Sequence, residues 1–473
     1  MERPDLATLR NAFAGRLLTD APDMAPFLTD WRRRWTGRAI AVAQPETAHD
    51  AASVVRWCAE RLVPVVPQGG NTGLSGGCIP DETGRALVLS TARLNKVRAM
   101  NPGNNTLIAE AGCTLRQVQD EAAAADRLFP LSLAAEGSCT IGGNLSTNAG
   151  GVHVLRYGSA GDLCLGLEVV TSDGEIWDGL RTLRKDNSGY HLRDVFIGAE
   201  GTLGIITAAA LKLYPRPAAK GVAFAAVPTA LAAQEFLHLA QAAAGGQVNA
   251  LELLSEACVA LVLRHIPGSR RALPAGSPWY MLVEVSGDGD EAAMQSTMEA
   301  MLESALEKGL ISDAVIAAST QQQLDLWRLR ENISEAQSAE GQAIKHDIAV
   351  PISGVAEAVE DISKSVAAHF PDVRPMVFGH LGDGNLHYNI SPPAGRTGAE
   401  FAAEFLALER PLNTMVHDIV VRHGGSISAE HGLGVLRRDE VARYKSPTEL
   451  RLMRTFKRAL DPAGIMNPGK VLV

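Results

Sequence analysis

Three small-residue segments interrupt the first half of this chain, and they restrict what it can fold into more than any other feature. The first, Gln68-Gly-Gly-Asn-Thr-Gly-Leu-Ser-Gly-Gly77, follows the short apolar run Leu62 to Pro67. The second runs from Glu136 to Gly151, with Ile141 and Leu145 as its only large apolar anchors. The third spans Ile197 to Ile206. Short strand candidates alternate with them: Ala86 to Ser90, Thr106 to Glu110, Gly166 to Thr171 and Ala208 to Leu213. Loops with so few side chains let a ligand approach the backbone and let N–H groups point at a phosphate. A lone phosphate does not need three such loops. A dinucleotide does, because pyrophosphate, ribose, adenine and a ring system must each be seated. The spacing is neither a Rossmann fingerprint nor a Walker A loop, since the GxGxxG pattern and the Gly-Lys-Ser/Thr ending are both missing.

At 473 residues the chain predicts two or three domains. A net charge of -9 gives no electrostatic reason to expect nucleic acid, whose phosphates need Lys and Arg. The one dense basic cluster, Arg32 to Arg34 between Trp31 and Trp35, reads as a helix face or a local anion clamp. Six scattered cysteines without a CxxC pair read as core residues in a reducing compartment. With no apolar leader in the sequence, this predicts a cytoplasmic protein, with peripheral association at the inner face of the membrane left open. Residues 1 to 36 read as largely helical, Pro215-Arg-Pro217 as a boundary, Leu326 to Ser338 as a helix and Thr397 to Arg422 as one long helix.

The second half carries the polar chemistry. In FGHLGDGNLHYNI, His380 ends one apolar strand and His387 lies in the next, joined by a Gly-Asp-Gly-Asn turn that Asp383 shapes. His387 and Asn389, two apart, face the same side of their strand. In SISAEHGLG, Glu430 and His431 add an adjacent carboxylate and imidazole. Two imidazoles and a carboxylate can hold a divalent metal with positions open for substrate. A metal lowers the pKa of a hydroxyl, and a neutral imidazole accepts its proton near pH 7. The plainer reading is a pair of buried, hydrogen-bonded histidines and an ordinary polar loop. Arg330 and Ser334, four apart on one helical face, and Lys345 offer donors to an anionic substrate, with a solvated helix face as the plain alternative.

Together, PQGGNTGLSGG, GSCTIGGNLSTNAGG, GAEGTLGIIT, GHLGDGNLHYNI, AEHGLG and GIMNPGK resemble the flavin-dependent D-2-hydroxyacid dehydrogenases, from about Pro45 to Lys470. That family includes D-lactate dehydrogenases, the glycolate oxidase flavin subunit and D-2-hydroxyglutarate dehydrogenase. The resemblance implies an α+β chain: an FAD-binding domain of the vanillyl-alcohol-oxidase (PCMH) type at 37–217 and an antiparallel-sheet cap at 218–425. A helical segment at 1–36 would precede them, and an active-site segment returning to the flavin at 426–473 would follow. FAD would be held non-covalently, because residues 64 to 80 contain no histidine to form the linkage seen in some relatives.

Within the first loop the resemblance assigns Pro67, Gln68, Gly69, Gly70, Asn71, Thr72, Gly73, Leu74 and Ser75 to the pyrophosphate. It places Glu136, Gly137, Ser138, Gly142, Gly143, Asn144, Thr147, Asn148, Gly150 and Gly151 along the flavin and its phosphates. Glu200, Gly201, Gly204, Ile205 and Ile206 would pack near the nucleotide, and Asn467 near the flavin ring. Arg330, Ser334, Lys345 and Asn389 become substrate contacts. His380, His387 and Glu430 become ligands of zinc or manganese, and His431 the catalytic base. The relatives typically have Thr where this chain has Ser334, which keeps the hydroxyl. The implied reaction oxidises a D-2-hydroxy acid to the 2-oxo acid, hydride going to flavin N5 and electrons on to a quinone or electron-transfer flavoprotein. D-2-hydroxyglutarate is the favoured substrate, D-lactate or glycolate the alternatives, and a homodimer the expected assembly. A non-catalytic dinucleotide-binding module is the reading from a different class, and it leaves the four polar residues of the second half without a purpose.

Overall fold

The computed structural model describes residues 5–396 and 399–472. The chain divides into two compact units. The first comprises residues 1–150, 158–216 and 430–473, the second residues 151–157 and 217–429. The fold is α+β.

The first unit holds two main sheets. In one, Arg16–Leu18 pairs antiparallel with Ala39–Gln44, which runs parallel to Ala86–Ser90 and then Val65–Gln68. The helix Ala48–Arg61 makes the crossover to Val65–Gln68. It starts where the Thr47 hydroxyl accepts the Asp50 amide and stops at Leu62, whose φ of 52° breaks the helical path. The other sheet is five antiparallel strands in the order Val97–Asn101, Thr106–Glu110, Ile205–Lys212, Cys164–Val170 and Ile176–Gly179. The small-residue loops leave the ends of these strands.

The second unit is built on a seven-stranded sheet: β1 Ala219–Val227, β2 Val248–Ser255, β3 Trp279–Gly287, β4 Asp313–Ile316, β5 Asp347–Ala349, β6 Arg374–His380 and β7 Asn385–Ser391. Their spatial order is β4-β1-β3-β2-β6-β7-β5, antiparallel throughout. Strand periodicity sorts its side chains cleanly. Leu251, Leu253, Val283, Val377, Tyr388 and Ile390 pack on one face against the helices Ala230–Ala244, Glu291–Glu307, Val355–His369 and Glu409–Arg422. Leu254, Leu282, Met376 and Phe378 point the other way, toward the helices Glu256–His265, Thr320–Glu331 and Ile333–Ala339. All the polar residues discussed below on these strands share that second face.

Four sequence expectations need correction. Among the described residues 5–36, only Leu6–Arg10 and Ala21–Leu28 are helical, because Arg16–Leu18 extends to pair with Ala39–Gln44. The Trp-Arg cluster is a turn around buried Asp30, whose carboxylate accepts the Arg34 and Trp35 amides at 2.7 Å. The expected single helix of 397–422 is two, Ala399–Leu406 and Glu409–Arg422, its first two positions lying outside the described residues. Pro411 has no N–H to give the carbonyl four residues back, so it is tolerated only in the first turn of a new helix. Likewise the helix through Leu326 to Ser338 breaks at Asn332, whose side-chain amide donates to the Arg328 carbonyl at 3.0 Å.

All six cysteines are free, and five are buried. Burial pushes the Cys113, Cys164 and Cys258 thiols up to about 12, which leaves them protonated and inert. Among the described residues no helix is long and apolar enough to cross a membrane.

Candidate active site

In the first unit the loops line an open cleft. Pro67 to Gly73, Ser75, Gly142 to Asn144, Thr147, Glu200, Gly201 and Gly204 to Ile206, all among the residues that the resemblance assigns to the cofactor, line it. Gly77, Cys78, Thr91, Thr140 and Ser146 line it too and were not anticipated. Leu74, Glu136, Gly137, Ser138, Asn148, Gly150 and Gly151 lie outside it. Glu136 is engaged by Arg116, Gln119 and Ser132. Asn148 ties down Ser159 and Gly161, and Gly151 belongs to the second unit. The stretch expected as a loop also contains a short helix, Ile141–Ser146, pinned by its two apolar residues.

The cradle is tight. A Cβ on Gly70 would sit 1.8 Å from the Ser138 carbonyl oxygen. At Gly69 it would meet Thr140 Oγ1 at 2.3 Å. Asn71 and Glu200 hold positive φ angles of 53° and 50°, conformations that non-glycine residues keep only where the surroundings over-determine them. Among the described residues, Thr140 Oγ1, on the cleft wall, and Asn467 Oδ1 are buried without a hydrogen-bond partner. Buried polar atoms rarely stay unpaired. Backbone-lined walls with an unsatisfied polar atom fit a dinucleotide such as FAD. Gly73 differs from its neighbours, since a Cβ there meets nothing within 4 Å. Gly73→Ala is therefore expected to leave the apoprotein melting temperature within about 1 °C of wild type, like other surface substitutions. FAD affinity should fall at least about tenfold, because the methyl group occupies space the cofactor's backbone approach needs. Calorimetric titration of apoprotein with FAD checks this, and unchanged affinity would show that the loop does not cradle the cofactor.

The Glu430-His431 segment belongs to this unit and is bound to the first loop. Ser75 Oγ donates to the His431 carbonyl at 3.1 Å, and the Val435 and Leu436 amides both donate to the Ser75 carbonyl. Buried Glu200 accepts the Leu433 and Gly434 amides at 2.7 and 2.9 Å. Burial raises the Glu200 pKa, and those two amides oppose the rise. Asn467 donates to the Gly77 and Glu200 carbonyls, closing the C-terminal segment onto the same loop. His431 Nε2 stands 4.0 Å from Glu430 Oε1.

The second unit presents a polar row across four strands. Register sets Glu252 on β2 directly opposite His380 on β6, and Asp347 on β5 directly opposite His387 on β7. The two imidazoles lie 5.7 Å apart between centroids. His380 Nδ1 is 2.6 Å from Glu252 Oε1, and His387 Nδ1 is 3.8 Å from Asp347 Oδ1. Asn385 and the Ala429 amide also hold Asp347. Asp383 shapes the intervening turn by accepting the Asn385 amide at 3.0 Å. The bridge between Ile344 and Ile390 continues the β5–β7 register and sets Lys345 opposite Asn389. Asn389 is buried and donates to Gln337 at 3.0 Å.

Arg330 is buried, its Nε 2.6 Å from Glu252 Oε2 and its guanidinium 4.8 Å above the Phe378 ring. Burial alone would raise the Glu252 pKa, but His380 and Arg330 together hold it down at about 2. The break at Asn332 separates Arg330 from Ser334, which is exposed, so the two do not share one face. Glu252 and Asp347 were missed from sequence. Their signal was a lone acid in an apolar strand, a position where charge is rare unless paired.

The FAD-binding domain family matches residues 39–179, and the C-terminal domain of FAD linked oxidases matches 216–471. A mitochondrial D-2-hydroxyglutarate dehydrogenase from Arabidopsis thaliana is 40% identical over 446 residues, covering 94% of this chain and 77% of that protein. The one from Bos taurus is 38% identical over 471 residues, covering 99% and 83%. D-2-hydroxyglutarate dehydrogenase from Xanthomonas citri pv. viticola is 38% identical over 472 residues, covering 100% and 97%. In fold, the chain is similar to alkyldihydroxyacetonephosphate synthase, with a TM-score of 0.74 at 17% identity over 99% of this chain and 86% of that one. It is also similar to p-cresol methylhydroxylase, with a TM-score of 0.73 at 16% identity over 96% and 93%. A glycine-built dinucleotide cradle and both matched domains lead to one conclusion: this chain belongs to the FAD-linked oxidase family and is an FAD-dependent oxidoreductase.

Proposed function

We propose that this protein oxidises a D-2-hydroxy acid to the 2-oxo acid, with D-2-hydroxyglutarate as its substrate. The observation that carries the reading is the buried row of Glu252, His380, His387 and Asp347, with Arg330 and Asn389 on the same sheet face. Relatives at 38–40% identity named D-2-hydroxyglutarate dehydrogenase supply the substrate. FAD held by the first unit would supply the hydride acceptor, and a zinc or manganese ion would supply a Lewis acid for the substrate hydroxyl.

His380 and His387 supply the imidazole ligands. Glu430 would supply the carboxylate ligand. His431 takes the hydroxyl proton. Arg330, Lys345 and Asn389 offer donors for the substrate carboxylates, whose burial requires countercharge and hydrogen bonds. Electrons leave through a quinone or an electron-transfer flavoprotein. The protein works as a homodimer in the cytoplasm, a reducing compartment in which its thiols stay free.

A panel of D-2-hydroxyglutarate, D-lactate, D-malate and glycolate with a dye acceptor tests the reading. The expected result is a kcat/KM for D-2-hydroxyglutarate at least about tenfold above the others: D-lactate and glycolate lack the second carboxylate and leave its partners unpaired, and D-malate is one methylene too short to reach them. D-lactate as the best substrate would replace the assignment, in line with a relative from Schizosaccharomyces pombe named putative D-lactate dehydrogenase, 36% identical over 463 residues.

A further inference from the structure

Glu252 is fully buried, and its neighbours on the same face of β2, Ala250 and Leu254, are apolar. Packing alone would favour another apolar residue there, because a buried charge is retained at a cost that only excellent partners offset. Its partners divide the carboxylate between them. Oε1 takes His380 Nδ1 and Oε2 takes Arg330 Nε, each at 2.6 Å. Those two residues come from different elements, 128 and 78 positions away along the chain. Phe378, two residues before His380 on β6, supports the other face of the same guanidinium.

We propose that Glu252 is a positioning residue that sets the metal ligand and the substrate-carboxylate anchor at once. Accepting from Nδ1–H fixes the His380 tautomer and leaves the Nε2 lone pair as the ligand atom. Binding Arg330 through Nε fixes the plane of the guanidinium and directs its terminal N–H groups, in their rigid fork, toward a carboxylate. A single carboxylate thereby keeps the distance between ligand and anchor constant. The proposal rests on the roles assigned above to His380 and Arg330.

Glu252→Gln in the full-length holoenzyme tests it. An amide cannot accept from both partners, since one of its two ends is a donor. FAD content should stay close to wild type, while the melting temperature falls, because the buried Arg330 charge loses its countercharge. Zinc affinity, read by chelator competition and elemental analysis, should fall about 10- to 100-fold. The KM for D-2-hydroxyglutarate should rise at least tenfold with a smaller change in kcat, roughly the pattern of a lost ground-state anchor.

Double-mutant cycles separate positioning from general damage. In a His380→Ala background Glu252→Gln should change zinc affinity less than about twofold, and in an Arg330→Ala background it should change KM as little. Additive losses, or wild-type zinc affinity and KM in Glu252→Gln, overturn the proposal. If His380→Ala itself retains zinc at wild-type affinity, the metal reading fails first and takes the ligand half of the proposal with it. The Arg330 cycle then decides the other half. Glu252→Asp keeps the charge but withdraws it by about 1.5 Å, one C–C bond. It should produce the same two defects at smaller size, and it serves if the Gln variant does not fold.

Discussion

Replacing His431 with alanine is expected to give a yellow, metal-loaded protein whose flavin reduction by substrate is slower by about 10²- to 10⁴-fold, the usual worth of a positioned general base. The loss should be confined to chemistry because the backbone of this segment is held without the imidazole. Ser75 binds the His431 carbonyl, and Glu200 binds the two amides at Leu433 and Gly434. Gly432 and Gly434 adopt φ angles of 73° and 50° against Glu200 and Ser75, so the turn is set by glycines rather than by the side chain removed. Stopped-flow measurement of the reductive half-reaction, with flavin and metal content determined on the same sample, checks the prediction. Wild-type reduction rates would remove His431 from the base role, and loss of metal would make it a ligand instead.

Glu284→Ala is expected to destabilise the second unit by about 1–3 kcal/mol at neutral pH, the cost of leaving its buried donors unpaired, since half-exposed Lys220 keeps its charge hydrated. Glu284 is buried, and its carboxylate gathers His153, Asn249, Lys220 and the Trp327 indole. His153 lies in the short stretch 151–157 that leaves the first unit for the second, so this carboxylate anchors that excursion. Arg156, from the same stretch, adds bonds to Asn249 and Ser286.

Burial alone would raise the Glu284 pKa, but His153 and Lys220 hold it well below the usual carboxylate range. A depressed carboxylate stabilises the folded state above its unfolded pKa of about 4.3, and the stabilisation is lost as pH falls from there toward the folded value. The gap between wild type and Glu284→Ala should therefore narrow between pH 7 and pH 3. Urea unfolding followed by tryptophan fluorescence at both pH values tests this, with Trp327 as a local reporter. A gap below about 1 kcal/mol at pH 7, or one that widens on acidification, would contradict the account.

What could be read directly was short-range. The strands Ala86–Ser90 and Thr106–Glu110 follow from their apolar runs, and the hairpin of His380 and His387 follows from two such runs around a Gly-Asp-Gly-Asn turn. Loops of glycine, serine and asparagine announce a backbone cradle because composition alone removes the obstructing side chains. Local signals failed where a tertiary partner outbid them. Arg16–Leu18 became a strand only because Ala39–Gln44 offered an edge, and the break at Asn332 depended on a side-chain bond that helical periodicity does not register.

Sequence by itself determined which groups are present and which neighbours within a dozen residues face the same way, since the strand period and turn chemistry are local properties. It therefore delivered the cofactor loops, the His380–His387 hairpin and the Glu430–His431 pair. Tertiary structure decided which acid meets which imidazole. Strand order β2-β6-β7-β5 sets Glu252 against His380 and Asp347 against His387, and only that order turns isolated acids in apolar strands into partners. The physical reason is distance along the chain: register between strands dozens to more than a hundred residues apart is settled by burial of the whole sheet, and no local pattern carries it.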